Sequence, residues 1–392
     1  MTISWKYSAP RYLHIELSTY CNAACPFCPR FFAGTDKVRS DLNLTQISLD
    51  DFKKFFDQES IKKWYKVMFC GTQGDPINAK DCYEIIEYVN AVNPDCRIVV
   101  HTNGGVRRSD FWHKMGTLFS RPNLSLIFSI DGLEDTNHIY RRNVQWSALI
   151  ENVHNFINAG GYAIWEYLVF GHNEHQVDQA DQYAKQIGFK EFRAKRALGF
   201  DDPSNNRQMT RSVFDREGNL QYKIYPPKNK KYLNIAEEFE LDDPNYSIDK
   251  DHTKFQLQVE NSIQNFHDSQ AYKLGDYLGK LDSYDIKCKS YFDHFTEIYV
   301  SASGIVFPCC FVGNRYDGNI DHFMDHQLKA KIRPRLAELD LHNRSFGDIL
   351  AAGVLEEIFS DSWLKDSIRH GKLAYCAETC GQNSPLDKLY VK

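Results

Sequence analysis

The chain has 392 residues, 42% of them apolar and 25% charged, the balance of a soluble globular protein with room for about two domains. Its net charge of −5 argues against a dedicated nucleic-acid binder, and no apolar run nears the ~18 residues of a membrane span. The start, Met1-Thr-Ile-Ser-Trp-Lys-Tyr7, is not a basic stretch followed by an apolar one, so a cytoplasmic location is expected. Eleven cysteines, an odd number, do not suit a disulfide framework there.

From the N-terminus, Arg11 to Ser18 alternates with period two, placing Leu13, Ile15 and Leu17 on one face and Tyr12, His14, Glu16 and Ser18 on the other. Ile47 to Phe56 reads as a helix behind Ser48, with Asp50 and Asp51 in its first turn. Lys66 to Cys70 is a short strand ending at Gly71-Thr-Gln-Gly-Asp-Pro76. A helix over Cys82 to Val92 precedes a strand over Arg97 to His101 that ends in Thr102-Asn-Gly-Gly105. Phe111 to Phe119 is helical, and Leu124 to Ile130 is a strand ending in Asp131-Gly132. The helix Trp146 to Asn158 is closed by Gly160 and Gly161. A strand over Ala163 to Phe170, a helix over Glu174 to Ile187 stopped by Gly188, and a sixth strand over Glu191 to Ala197 complete the series.

Six strand-then-helix units imply an α/β fold with a parallel sheet and right-handed crossovers, whose sites lie at the C-terminal ends of the strands. Residues 1–200 form this unit, 201–285 a polar insertion with a small basic loop cluster at Lys228, Lys230 and Lys231, and 286–392 a C-terminal domain. In that last part Tyr291 to Val300 and Ile305 to Phe307 read as a hairpin, and Phe346 to Ile368 as an amphipathic helical stretch.

The cysteines cluster. Cys21, Cys25 and Cys28 begin just past the first strand, at spacings that turn three thiolates toward one small object. Four-iron clusters are held by such thiolates, whereas structural zinc wants a fourth ligand that is not nearby. Three thiolates on a four-iron cluster leave one iron open to a substrate or cofactor. Cys82 and Cys96 read as small buried hydrophobes.

The triplet Cys-x₃-Cys-x₂-Cys after a first strand resembles the signature of the radical S-adenosylmethionine (SAM) enzymes. Gly71-Thr-Gln-Gly-Asp-Pro76 is similar to that family's Gly-Gly-Glu-Pro element, with Asp75 where Glu is commoner. Thr102-Asn-Gly104, and Ser129-Ile-Asp-Gly132 followed by Arg141, resemble its third- and fourth-strand elements. The resemblance implies a partial (β/α)₆ TIM-like barrel in which a [4Fe-4S] cluster on Cys21, Cys25 and Cys28 binds S-adenosylmethionine. Reductive cleavage then yields a 5′-deoxyadenosyl radical. Under that reading Gly71, Gly74 and Asp75 approach the methionine part, or the glycines merely turn the chain. Asn103 meets the ribose, and Ser129 and Arg141 the carboxylate, with a surface charge as the alternative for Arg141. Phe27 packs beside the adenine, or only within its loop.

Cys288, then Gly304, Cys309, Cys376 and Cys380 resemble the C-terminal SPASM extension or its shortened twitch form, which carries auxiliary iron–sulfur clusters on a β-hairpin plus helix. The segment Ser303-Gly-Ile-Val-Phe-Pro-Cys-Cys310 matches its hairpin turn. There are fewer cysteines than in a full SPASM extension, so one auxiliary cluster is expected on Cys288, Cys309, Cys376 and Cys380, with Cys310 able to replace Cys309. A zinc site on the same four is the alternative.

The expected activity is hydrogen abstraction from a small polar substrate, by oxidation or epimerisation, with peptide modification as the alternative and a metal-binding interaction protein as the non-enzymatic one. His14 and Glu16, lumen-facing, are expected to help set specificity. An electron donor such as flavodoxin or ferredoxin is the expected partner. Cys70, at the end of the second strand, is either a hydrogen-atom donor or a packed thiol.

Overall fold

Parallel strands need crossovers, and over the first two hundred residues helices supply each of them. The computed structural model describes residues 11–32, 34–197, 200–202, 207–208, 210–232, 279, 281–288, 297–317 and 323–381. In chain order, β1 (Tyr12–Ile15), α1 (Leu49–Phe55), α2 (Gln58–Lys62), β2 (Lys66–Phe69), α3 (Cys82–Val92) and β3 (Arg97–Thr102) come first. Then come α4 (Ser109–Leu118), β4 (Leu124–Ser129), α5 (Asn137–Tyr140), α6 (Trp146–Asn158), β5 (Ala163–Val169), α7 (Val177–Ile187) and β6 (Glu191–Arg196). Strands β1 to β6 lie side by side in sequence order, all parallel, as the alternation predicts.

Local chemistry sets the helix ends. Ser48 caps α1 by accepting from the Asp51 amide, and Asp57 caps α2 through Ser60. Gly188 ends α7 at φ +98°, a conformation that glycine adopts without strain. One face of β1 to β5 is apolar and fully buried against the helices: Ile15, Val67, Phe69, Val100, Phe128 and Trp165 lie there. Phe52 of α1 meets Phe69, and Trp112 of α4 meets Phe128. The opposite face carries His14, Cys70, His101, Glu166 and Lys195 and lines the lumen.

Past β6 the chain forms two small antiparallel pairs, β7 (Asp201–Asp202) with β8 (Arg207–Gln208) and β9 (Arg211–Phe214) with β10 (Leu220–Ile224). The hairpin β9–β10 stands where the sequence reads as a polar insertion. The rest of that insertion, residues 203–206, 209, 233–278 and 280, lies outside the described residues, as do 291–296 of the expected hairpin.

The expected C-terminal hairpin is present in its described part and joins the barrel sheet. Strand β11 (Glu297–Val300) pairs in parallel with β1, and β12 (Val306–Phe307) pairs antiparallel with β11, giving an eight-stranded sheet. Helix α8 (Cys310–Asp317) packs on β11 so closely that a Cβ on Gly313 would stand 2.3 Å from the Tyr299 ring. Later helices include α9 (Phe323–Ile332), α10 (Phe346–Ala352) and α11 (Ala374–Cys380). The expected helical stretch over Phe346 to Ile368 is helical in segments, with α10 ended by Gly353 at φ +75°.

Because β11 is part of the barrel sheet, its core should unfold with the barrel. Ile298, fully buried between β1 and the C-terminal helices, tests this. Ile298→Ala should cost about 2–5 kcal/mol and shift a single urea transition followed by circular dichroism. Two separated transitions, with only one moved, would show an independent C-terminal unit.

Candidate functional site

The loops at the C-terminal ends of β1 to β4 converge on the cysteine triplet. Cys25 is buried and Cys21 and Cys28 half-buried, in a turn where the Cys28 amide donates to the Cys25 carbonyl at 3.0 Å. Buried Arg30 ties this turn to its neighbours by donating to the Thr19 carbonyl and, at 3.4 Å, to the Gln73 carbonyl. Two N–H donors face sulfurs: Asn103 Nδ2 lies 3.7 Å from Cys21 Sγ, and Arg141 Nη1 lies 3.6 Å from Cys25 Sγ. Burial pushes all three thiols up, Cys28 to about 12. A bound cation reverses that balance and deprotonates its sulfur ligands. Three converging sulfurs with N–H donors aimed at two of them suit an iron–sulfur cluster, whose potential such hydrogen bonds tune.

The 71–76 loop is held from inside the barrel. Glu16 accepts from the Gln73 and Gly74 amides at 2.6 and 2.9 Å with one oxygen. Its other oxygen accepts from Thr72 Oγ1 at 2.8 Å and Tyr299 Oη at 2.5 Å. Sequence reading treats Glu16 as a specificity determinant; its hydrogen bonds make it the anchor of this loop. A Cβ on Gly71 would stand 2.0 Å from the Gly74 carbonyl oxygen, and one on Gly74 2.0 Å from that of Ser18. The chain's own packing therefore requires both glycines.

Asp75 is likewise turned into the protein. It accepts from the Ile77 amide at 3.0 Å, from Thr102 Oγ1 at 2.9 Å, and from both the backbone and side-chain nitrogens of Asn103 at 2.8 Å. Asn103, bonded reciprocally to Asn22, is thus fixed beside Cys21. Arg141 is no surface charge: its Nε lies 2.6 Å from Asp131, which is fully buried. Burial works against the guanidinium, but the charges of Asp131 and Cys25 outweigh it and hold Arg141 protonated. Ser129 ends β4 level with Glu166 of β5. Phe27 sits among Tyr140, Phe170 and Phe200, with ring centroids at 5.5, 5.9 and 5.4 Å.

Deeper in the lumen, Lys195 Nζ lies 3.0 Å and His101 Nδ1 3.9 Å from one oxygen of Glu166. These three escaped the sequence reading, although period-two alternation on β3, β5 and β6 puts each on the inner face. Burial lowers His14 and His101 to about 4, so both rings are neutral, and raises the Cys70 thiol to about 12.

The other cysteines converge too. Cys288, Cys309, Cys376 and Cys380 line one cavity with Ile286, Pro308, Phe311 and Trp363. The Lys287 amide donates to the Cys380 carbonyl at 3.1 Å, joining two segments of its wall. A hydrogen bond with Cys380, then burial, raises the Cys288 thiol. Cys309 faces this cavity; Cys310 does not line it. Cys82 and Cys96 are fully buried in the core.

The Arg141–Asp131 pair allows a stability test. Arg141→Leu should cost about 3–5 kcal/mol, since it leaves a buried carboxylate without its partner. Adding Asp131→Asn should recover part of that loss in urea unfolding. A single-variant loss below about 1 kcal/mol, the range of exposed pairs, would show the pair to be solvated.

The Radical SAM superfamily model matches residues 15–184. No curated protein matches the chain. Among solved structures, the chain is similar to Streptococcus suis SuiB bound to S-adenosylmethionine, at 14% identity and a TM-score of 0.42 over 77% of this chain and 60% of that one. SuiB bound to its precursor peptide SuiA matches at 12% identity and 0.48, over 98% and 75%. Native anSMEcpe with bound AdoMet matches at 15% identity and 0.48, over 97% and 93%. The chain thus spans about 60% of the length of the first of these. Residues 15–184, with the cysteine triplet at the C-terminal end of β1, are thus what the chain shares with the radical SAM superfamily.

Proposed function

We propose that the chain abstracts a hydrogen atom from a polar group held in the barrel lumen, with a peptide side chain as the first substrate reading and a small polar molecule as the second. The observation that carries it is the convergence of Cys21, Cys25 and Cys28 under the N–H donors of Asn103 and Arg141. When bound there, the cluster and S-adenosylmethionine supply a 5′-deoxyadenosyl radical. The chain's own residues position and protect. Glu16 holds the 71–74 backbone and Asp75 fixes Asn103, which would hold the ribose, while Arg141 and Ser129 would hold the methionine carboxylate. Phe27 and its aromatic neighbours would pack beside the adenine.

Glu166, Lys195 and His101 offer the lumen an acceptor, a cation and a neutral ring, which suit the polar groups of peptides and small molecules alike. SuiB and anSMEcpe have each been solved with a peptide bound. We assign an auxiliary, twitch-type cluster to Cys288, Cys309, Cys376 and Cys380, choosing Cys309 over Cys310 because Cys309 lines the cavity. A flavodoxin or ferredoxin is the proposed electron donor.

Replacing Cys21, Cys25 and Cys28 with Ala should abolish 5′-deoxyadenosine formation. Iron should fall from roughly eight to roughly four per chain if both sites hold four irons. Continued 5′-deoxyadenosine formation would sink the assignment. For the substrate, cell extract is split by size: formation stimulated by the peptide fraction supports the first reading, and by the small-molecule fraction alone the second.

Cys70 faces the lumen as a neutral thiol, the state a hydrogen-atom donor needs. If it donates, Cys70→Ala should leave SAM cleavage intact while the substrate radical accumulates in electron paramagnetic resonance. Unchanged turnover and product stereochemistry would make it a packing residue.

A further inference from the structure

We infer that His14, Glu297 and Cys310 form a binding site for one divalent cation of the zinc class, separate from both cysteine clusters. The His14 ring nitrogen, a Glu297 carboxylate oxygen and Cys310 Sγ all lie within 4.8 Å of one another. His14 belongs to β1, Glu297 opens β11 and Cys310 opens α8, so the site lies where the C-terminal elements join the barrel.

The histidine is prepared for the role. Its Nε2 lies 2.7 Å from the Cys70 carbonyl oxygen, an atom that can only accept, so Nε2 carries the hydrogen. In the neutral ring the lone pair is then on Nδ1. That atom is buried and has no hydrogen-bond partner among the described residues, in a side chain only 3% exposed. A metal-bound histidine has this arrangement, with one nitrogen on the ion and the other donating to a carbonyl. The competing reading is an ion pair, since Nδ1 lies 4.0 Å from Glu297. It requires a protonated imidazole in a site whose burial disfavours the charged form.

Cys310 is available for this site because its neighbour serves the other. Cys309 lines the four-cysteine cavity and Cys310 does not. One sulfur, one imidazole and one carboxylate are a zinc-type donor set. Bonds of about 2.0–2.3 Å put tetrahedral ligands roughly 3.2–3.8 Å apart, so the three atoms need to close by only about 1 Å. Three protein ligands leave a fourth position for water or a substrate group. The ion would also fasten α8 to β1 and β11.

The test uses the full chain with its clusters reconstituted, given zinc and desalted, with zinc and iron then measured by mass spectrometry. Wild type should retain one zinc per chain, and Cys376→Ser, which disturbs only the four-cysteine cavity, should retain it too. Cys310→Ser, His14→Gln and Glu297→Gln should each weaken zinc retention at least tenfold without lowering iron. Glu297 is half-buried at the edge, so Glu297→Gln carries the test should either of the other two fail to fold. Zinc lost with Cys376 but kept with Cys310, zinc kept by all three site variants, or no zinc on wild type would each overturn the site. None of these outcomes depends on radical chemistry, so the proposal stands or falls separately from the proposed function.

Discussion

One buried carboxylate organises the mouth of this barrel. Glu16 is 1% exposed, and a charge so placed persists only if its lone pairs are filled. Two backbone amides of the 71–74 loop and the hydroxyls of Thr72 and Tyr299 fill them. Burial raises the Glu16 carboxyl, and these four donors pull the other way. The contact therefore couples three distant segments: β1, the loop after β2, and β11 near the C-terminus. The loop's two crowded glycines, the Asp75–Asn103 hydrogen bonds beyond it and the placement of Asn103 beside Cys21 all follow from where Glu16 holds the chain.

The same residue shows where sequence reading stops. Strands β1 to β6 and helices α3 and α6 are legible because alternation, caps and glycine stops are local signals. The triplet is legible because its spacing is local too. Glu16 reads only as a polar residue on the inner face, since its partners lie 56 to 283 residues away. Strand β11 is legible as half of a hairpin with β12, but its parallel pairing with β1 is not, because that partner lies far away in sequence. The hairpin β9–β10 is a different case, for its turn carried a signal. Asp215 accepts from the amides of Glu217 and Asn219, and Gly218 takes φ +88°, yet the surrounding polarity hides the strands.

The lumen repeats this lesson in its electrostatics. An outer face of Val, Ile and Phe buried under helices leaves the inner face free to carry charge. Glu166 is 5% exposed, with Lys195 Nζ at 3.0 Å and His101 Nδ1 at 3.9 Å from one of its oxygens. A polar interior of this kind suits a substrate that brings its own polar groups, and it costs the fold little because the charges already pair.

The two cysteine sets differ in what assembles them. The triplet spans eight residues and needs only a turn, fastened by Arg30 and overlooked by Arg141. The second set joins positions 288, 309, 376 and 380, so its sulfurs converge only once a loop of more than sixty residues has closed between Cys309 and Cys376. Docking of α8 decides that convergence. Gly313 lets the helix settle on the Tyr299 ring, and Asn314 accepts from Gln73 Nε2 at 2.7 Å, tying the helix to the loop that Glu16 anchors. Adjacent residues at the start of a helix point about 100° apart, given 3.6 residues per turn. With α8 fixed in this way, Cys309 is turned to the four-cysteine cavity and Cys310 toward His14 and Glu297. A pair that sequence treats as interchangeable is thereby divided between two surroundings by the placement of a single helix.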